Sequence, residues 1–217
     1  PYRPSAQYRD GTGLFERYRA NWRASNLSES TPSGRDEETL RTLYNGTIRS
    51  FDDCLRGIRD ELRPFDPVYV LHSDHGEAFG EHGQYGHGSS LYEENIRVPF
   101  LVGNIENKVR VEQPASLRVI PRLITSLCNG EIDPSTFTTD RTYAISERGD
   151  ICVRGSGWKY YLGNDGRNRL YDLRTDPGEQ DGMEMSIKSL ENIHRIHLNE
   201  ITELERATRE QISTNQL

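Results

Sequence analysis

The chain has 217 residues, which suits one domain with an appended subdomain or two small domains. Its formal net charge of -7 disfavours nonspecific binding to nucleic acid, because the phosphate backbone attracts basic surfaces. No run of about 18 apolar residues occurs in the sequence, so it predicts no membrane-spanning segment.

The residue types say little about the cellular compartment. Among the 27 basic residues only three are lysines, a bias that fits a salt-adapted source and a GC-rich genome equally well. Cys54, Cys128 and Cys152 are widely spaced and form no C-x-x-C pair, which argues against a disulfide framework. We therefore expect three small buried residues. A soluble cytoplasmic protein and an exported one both agree with these features.

Helices are predicted after an irregular start. Residues 1–36 are rich in Tyr, Arg, Ser, Gly and Pro with little periodicity, apart from a short helix predicted over 13–24. A long helix is predicted from Asp36 to Pro64, because apolar residues recur there at three- and four-residue steps. Glu37 suits its first turn, since the N-terminal end of a helix is positive.

Two predicted strands enclose a polar segment. Pro67–His72 is a short run of apolar and β-branched residues, which is typical of a buried parallel strand. His72 alternates with apolar residues there and is interpreted as a core histidine. Val98–Val102 is the next predicted strand. The intervening residues 73–95 have no hydrophobic period, and a polar loop of this length is uncommon in a compact domain unless it has a function.

The second half of the chain changes to shorter elements. A helix is predicted over Ser116–Cys128 from its apolar spacing. Four short strands separated by turn residues then predict a small antiparallel sheet with hairpins: Thr142–Ser146, Ile151–Arg154, Trp158–Leu162 and Arg169–Asp172. An amphipathic helix is predicted over 183–212. This change of texture divides the chain into residues 1–138 and 139–217.

An acid and an imidazole follow the first predicted strand directly. Asp74 and His75 lie at its carboxyl end, where open α/β sheets bind their ligands. Adjacent side chains of these types can both reach one cation, and Gly76 permits a tight turn after them. Two ligands are too few for a metal site, so the others must come from elsewhere. Taken alone, Asp-His-Gly favours a capping Asp and a solvated His on a turn.

The wider segment resembles a known family. Ser73–Gly88 contains Ser-Asp-His-Gly-Glu and Gly-Glu-His-Gly blocks, and His87 lies 13 residues after Asp74. A Leu-Tyr-Glu-Glu stretch and a Val-Pro strand follow. These features closely resemble the sulfatase family of the alkaline-phosphatase-like superfamily. Gly157–Tyr160 and Leu170–Glu179 resemble the C-terminal signature of that family, so the resemblance spans roughly residues 1–180 in order.

The resemblance implies a fold and a reaction. The fold is α/β: the C-terminal part of an alkaline-phosphatase-like α/β sandwich, plus a small antiparallel-sheet subdomain with a C-terminal helix. The reaction is hydrolysis of sulfate esters of small molecules or glycans. Asp74 and His75 match two metal ligands of the family, and His87 matches the basic residue beside the sulfate. Calcium is the expected metal, although imidazole suits manganese or zinc better.

One family element is absent from the sequence. The family makes a formylglycine nucleophile from the Cys or Ser of a C-x-P-x-R motif, and no such motif occurs in the chain. Ser30–Arg35 comes near it but is interpreted as a turn. The chain also begins at Pro1 rather than Met. We therefore expect the C-terminal portion of a longer enzyme, inactive by itself, with the nucleophile and the remaining ligands upstream.

Two alternatives stay open at this point. Phosphate or phosphonate ester hydrolysis, or phosphoryl-group transfer, uses the same scaffold, and an inactive module is the third reading. Weaker site candidates are also present. Glu77 is interpreted as an exposed loop acid, with a water-binding role near the metal as the alternative, and His82 as a solvated or structural loop residue. Lys159 and Arg154 on the small sheet are interpreted as surface residues, with substrate contact as the alternative.

Overall fold

The computed structural model describes residues 2–27, 31–88, 90–106, 109–130 and 133–184. The chain forms two compact units, Pro1–Val109 and Arg110–Leu217. The domain boundary predicted after residue 138 rests on the change from helix to short strands in the sequence. It stays a prediction. No helix in the described part of the chain is both long and apolar enough to cross a membrane.

The first unit combines helices with two small sheets. Its helices are α1 (Leu14–Ser25), α2 (Gly34–Leu62) and the short α3 (Glu93–Ile96), with 3-10 turns at Ala6–Tyr8, Arg63–Phe65 and Glu81–Gly83. Its strands are β1 (Tyr69–His72), β2 (Ala78–Phe79), β3 (Tyr85–Gly86) and β4 (Phe100–Gly103). The two helices predicted before residue 64 are thus confirmed within about two residues at each end.

A buried carboxylate joins α1 to α2. Asp36, in the first turn of α2, is fully buried and accepts hydrogen bonds from Arg19 at 2.8 Å and Arg23 at 2.6 Å. The Ser33 hydroxyl and backbone N–H donate to the same carboxylate at 2.7 and 3.0 Å. Burial opposes ionisation, but these four donors outweigh it and hold the pKa of Asp36 well below its usual range.

The apolar core of this unit extends from the helices to β2. Ala20 of α1, Leu40 of α2 and Phe79 of β2 are buried together. Tyr2 and Tyr44 pack against them, with the Tyr44 ring centroid 5.0 Å from that of Phe79. The core therefore fixes the β2 strand, which belongs to the polar segment, against the helix pair.

The strand predicted as parallel and buried is neither in the described structure. β1 pairs antiparallel with β4, with Tyr69 opposite Gly103 and His72 opposite Phe100. β1 is only half-buried, and His72 is exposed, so its interpretation as a core histidine is wrong. An apolar, β-branched run indicates a strand, but it does not report the direction of the neighbouring strand.

The second unit contains α4 (Ile120–Cys128), which follows a 3-10 turn, and a five-stranded antiparallel sheet. The strands pair in chain order: β5 (Arg141–Ile145), β6 (Ile151–Gly155), β7 (Trp158–Leu162), β8 (Asn168–Asp172) and β9 (Met183–Glu184). Val153 and Tyr160 form its core. The predicted sheet is confirmed. The helix predicted over 183–212 begins in β9, and its residues from 185 onward lie outside the described residues.

Two further expectations are corrected by burial. Cys54 and Cys128 are exposed, whereas Cys152 is buried as expected. Lys159 lies fully buried in β7 and forms an ion pair with the equally buried Glu179, with 2.7 Å between Nζ and Oε1. Lys159 is therefore a core residue of the sheet rather than a surface residue.

Candidate metal and substrate site

The polar segment after β1 is anchored to α2. β2 and β3 pair as a hairpin, with Phe79 opposite Tyr85. The Tyr85 hydroxyl donates to Glu37 of α2, and Arg41 of α2 donates to Glu81 at 2.6 Å. Burial and the hydrogen bond to Glu37 raise the pKa of Tyr85 to about 12, so this hydroxyl remains a donor at neutral pH.

A close backbone contact fixes the turn at Gly76. The Gly76 N–H donates to the Asn95 carbonyl at 2.8 Å. A Cβ atom at this position would lie 2.0 Å from the Glu94 carbonyl oxygen. Only glycine therefore fits between the turn and α3, and the contact sets where the preceding Asp74 and His75 lie.

The two predicted metal ligands are neighbours in space as well as in sequence. Asp74 Oδ1 lies 3.7 Å from His75 Nε2, and the Asp74 side chain is 83% exposed. His75 Nδ1 lies 2.8 Å from the Gly76 carbonyl oxygen, which can only accept, so Nδ1 carries the proton. In the neutral ring Nε2 then has a lone pair directed near the Asp74 carboxylate.

Asp74 and His75 are side chains of the types that bind a divalent cation. A metal-binding histidine commonly donates its other ring N–H to a backbone carbonyl, as His75 does here. When the His75 ring is neutral, its Nε2 and Asp74 Oδ1 are both acceptors, and a cation between them would attract both. Within the described residues no group of three or more His, Cys, Asp or Glu side chains could hold a metal. Asp74 and His75 thus form a partial site.

His87 lies directly beside this pair. Its ring stacks on His75 with 3.7 Å between centroids and 21° between planes. Its Nδ1 lies 3.4 Å from Glu77 Oε1, a long hydrogen bond, and the side chain is 51% exposed. The structure therefore brings together the three site residues that the sequence singles out. Their roles stay predictions.

Glu77 differs from its interpretation as an exposed loop acid. Its side chain is only 12% exposed, and Oε1 contacts His87 Nδ1. No local pattern in the sequence predicts this burial. The position of Glu77, two residues after His75 and three after Asp74, is the only indication.

His82 has a structural role in the same segment. Its ring stacks on Tyr92 with 3.6 Å between centroids and an interplanar angle of 4°. Its Nδ1 donates to Glu94 at 2.8 Å. The residue has a left-handed backbone, with φ of 51°, inside the Glu81–Gly83 turn. These contacts join the turn to the start of α3.

Comparison with known proteins identifies the fold. The family model for sulfatases matches residues 3–124, more than half of the chain. A solved 2-O GAG sulfatase is 18% identical with a TM-score of 0.57, over 92% of this chain and 48% of that one. A protein whose structure was solved in complex with its substrate D-glucosamine-2-N,6-O-disulfate is 16% identical, with a TM-score of 0.53. The match covers 88% of this chain and 45% of that one. No curated protein matches the chain.

A third solved structure is not a sulfatase by name. The phosphonate monoester hydrolase of Agrobacterium radiobacter is 18% identical with a TM-score of 0.54, over 81% of this chain and 43% of that one. The chain spans about half the length of these solved structures. At such identities the likeness shows the fold, which confirms the expected alkaline-phosphatase-like class. Because the family model matches residues 3–124, more than half of its length, the chain belongs to the sulfatase family.

Proposed function

We propose that the full-length protein hydrolyses sulfate esters, and that this chain supplies two metal ligands and one basic residue that contacts the substrate. The observation that carries the proposal is the cluster at the end of β1. Asp74 Oδ1 and His75 Nε2 lie 3.7 Å apart, and the His87 ring stacks on His75. A carboxylate, an imidazole lone pair and a second imidazole thus meet at one exposed position.

Asp74 and His75 would hold the divalent cation. The Gly76 carbonyl keeps the proton of His75 on Nδ1, so that Nε2 stays available as a ligand. Calcium is the proposed ion, with manganese or zinc as alternatives that suit the imidazole better. When bound, such a cation polarises sulfate oxygens and stabilises negative charge. The remaining ligands and the formylglycine nucleophile would come from residues outside this sequence.

His87 would act on the leaving group. When the S–O bond breaks, the alcohol oxygen gains negative charge, and a proton held on the His87 imidazole can be shared with that oxygen. The Nδ1 edge of the ring faces Glu77, so Nε2 on the opposite edge is the atom that would carry this proton. General acid catalysis of this kind typically contributes about 10²–10⁴-fold.

The metal role is tested in the full-length protein by Asp74→Ala. The matched control is Asp60→Ala, because Asp60 is also an exposed acid of the first unit. Metal content measured by elemental analysis should fall in Asp74→Ala together with turnover, and both should persist in Asp60→Ala. Undiminished metal in Asp74→Ala would remove Asp74 from the ligand set.

The role of His87 is tested with a series of leaving groups. His87→Ala should lower kcat far more for alkyl sulfates, which leave poorly, than for activated aryl sulfates, while the metal content stays unchanged. The exposed His72 of β1 provides the control variant His72→Ala. An equal loss across leaving groups would mean that His87 only binds the sulfate. No loss would make it a surface residue.

Phosphonate ester hydrolysis is the second candidate. The phosphonate monoester hydrolase structure matches this chain as well as the sulfatases do, with a TM-score of 0.54. The same three residues would serve, because phosphonate and sulfate monoesters share tetrahedral anionic groups with an alcohol leaving group. Sulfate remains the first proposal because the family model is that of sulfatases.

A further inference from the structure

One carboxylate connects the candidate site to the core of the first unit. Glu77 Oε1 lies 3.4 Å from His87 Nδ1, and burial together with the nearby charge of Glu77 raises the pKa of the Tyr2 hydroxyl. Its Oε1 also lies close to the turn before His87, at 3.6 Å from where a Cβ of Gly86 would be. Glu77 thus meets the backbone that carries His87 as well as its ring.

Burial explains why Glu77 needs these partners. The side chain is 12% exposed, and an ionised carboxylate removed from water must accept hydrogen bonds to remain favourable. Tyr2 lies on the core side, where it packs against Phe79 and Tyr44. Burial and the charge of Glu77 raise the pKa of Tyr2, so its hydroxyl keeps its proton at neutral pH.

His87 follows β3, whose last residue Gly86 pairs with Ala78. Gly86 and Gly88 on either side of it have positive φ, of 84° and 85°, and glycines confer the greatest backbone freedom. The His87 ring is restrained at one face by His75 and at its Nδ1 edge by Glu77. A carboxylate that accepts from Nδ1–H selects one tautomer and one ring orientation.

We propose that Glu77 is the positioning residue for His87: it accepts a hydrogen bond from Nδ1–H, and thereby keeps Nε2 directed away from the core toward the ester. The inference rests on the proposed role of His87 in leaving-group departure. It gives the Glu of the Asp-His-Gly-Glu block a function that needs neither metal contact nor substrate contact.

The first test is a double-mutant cycle on the full-length enzyme with an alkyl sulfate. Glu77→Ala should lower kcat by about 10–100-fold, the loss expected when a catalytic group is misplaced by about 1 Å, with little change in KM. In the His87→Ala background the same substitution should cost less than about threefold, since no imidazole remains to be positioned. Additive losses would overturn the proposal.

Two further variants separate positioning from loop stability. Glu77→Gln keeps an acceptor oxygen for Nδ1–H and should restore most of the kcat that Glu77→Ala loses. Glu94→Ala is the matched control, because Glu94 is the carboxylate bonded to the other loop histidine, His82. Its effect should be additive with that of His87→Ala. Equal activity of the Gln and Ala variants of Glu77 would contradict the proposed hydrogen bond.

A spectroscopic readout is independent of turnover. In full-length protein labelled with ¹⁵N-histidine, a long-range ¹H–¹⁵N spectrum at a fixed alkaline pH should show His87 as the Nδ1–H tautomer, assigned by its loss in His87→Ala. Glu77→Ala should shift it toward Nε2–H, the commoner tautomer of free imidazole side chains. An unchanged tautomer would refute the proposal. A tautomer shift without sulfatase turnover would instead retain the positioning role and reject the proposed function.

Discussion

Gly76→Ala is the substitution for which the structure gives the clearest expectation. The new Cβ would lie 2.0 Å from the Glu94 carbonyl oxygen and 3.2 Å from the Asn95 carbonyl carbon. Both are backbone atoms, so no side-chain rotation can relieve the contact. Real Cβ atoms essentially never approach a heavy atom within 3.0 Å, and the turn must therefore move about 1 Å away from α3.

The magnitude follows from this displacement. Moving the turn breaks the hydrogen bond from Gly76 N–H to the Asn95 carbonyl, now 2.8 Å long, and an unsatisfied buried N–H costs about 1–3 kcal/mol. Overpacking adds about 1–3 kcal/mol. Asp74 and His75 immediately precede the turn, and a misplacement of about 1 Å lowers turnover by roughly 10²-fold.

The assay compares Gly76→Ala with Gly103→Ala in the full-length enzyme. A Cβ at Gly103 would lie 3.8 Å from the Tyr69 side chain, an ordinary contact, so this control should retain activity and stability. Gly76→Ala should lose kcat/KM on an aryl sulfate, bound metal and thermal stability together. Indistinguishable values for the two variants in all three measurements would refute the reasoning.

Three further outcomes follow from buried charges and from a missing motif. Asp36→Asn should lower the free energy of unfolding in urea by about 3 kcal/mol at pH 7. Because the pKa of Asp36 is lowered in the folded state, the stabilisation by its carboxylate is complete above the unfolded-state pKa of about 4. This stabilisation is lost as the pH falls further. An equal difference in unfolding free energy between wild type and Asp36→Asn at pH 3 and at pH 7 would contradict the expectation. Lys159→Met should lower the unfolding free energy by about 3–5 kcal/mol by leaving the Glu179 carboxylate buried beside a methyl group, and Lys159→Met with Glu179→Leu should recover part of this loss in thermal melts. The 217-residue chain expressed alone contains no C-x-P-x-R motif and should not turn over an aryl sulfate; metal-dependent turnover by it would contradict the need for an upstream nucleophile.

Local sequence patterns were sufficient where short-range physics decides the structure. The apolar spacing after Asp36 predicts α2 because a helix face repeats every three to four residues. The turn residues after 140 predict hairpins because turn chemistry is also local, and the sheet β5–β9 confirms these hairpins. Asp74 and His75 are adjacent in sequence, so their proximity in the structure needed no long-range information.

Long-range contacts account for the differences. The direction of β1 depends on β4, which lies beyond the polar segment, so the apolar run could not reveal an antiparallel partner. Glu77 looks like a solvated acid in the sequence, but in the structure its side chain is 12% exposed and contacts His87. Lys159 looks like a surface residue of a strand in the sequence, but in the structure it is buried in an ion pair with Glu179, which lies beyond β8. In each case the missing information was a partner distant in sequence.

One comparison of rates tests whether the full-length protein hydrolyses sulfate esters in preference to phosphonate esters. The full-length protein, loaded with calcium, would be assayed for kcat/KM on 4-nitrophenyl sulfate and on 4-nitrophenyl phenylphosphonate, which share a leaving group. A sulfatase should show a higher kcat/KM for the sulfate, and this activity should be lost in Asp74→Ala. A clear preference for the phosphonate, with the sulfate turned over at least tenfold less efficiently, would contradict it.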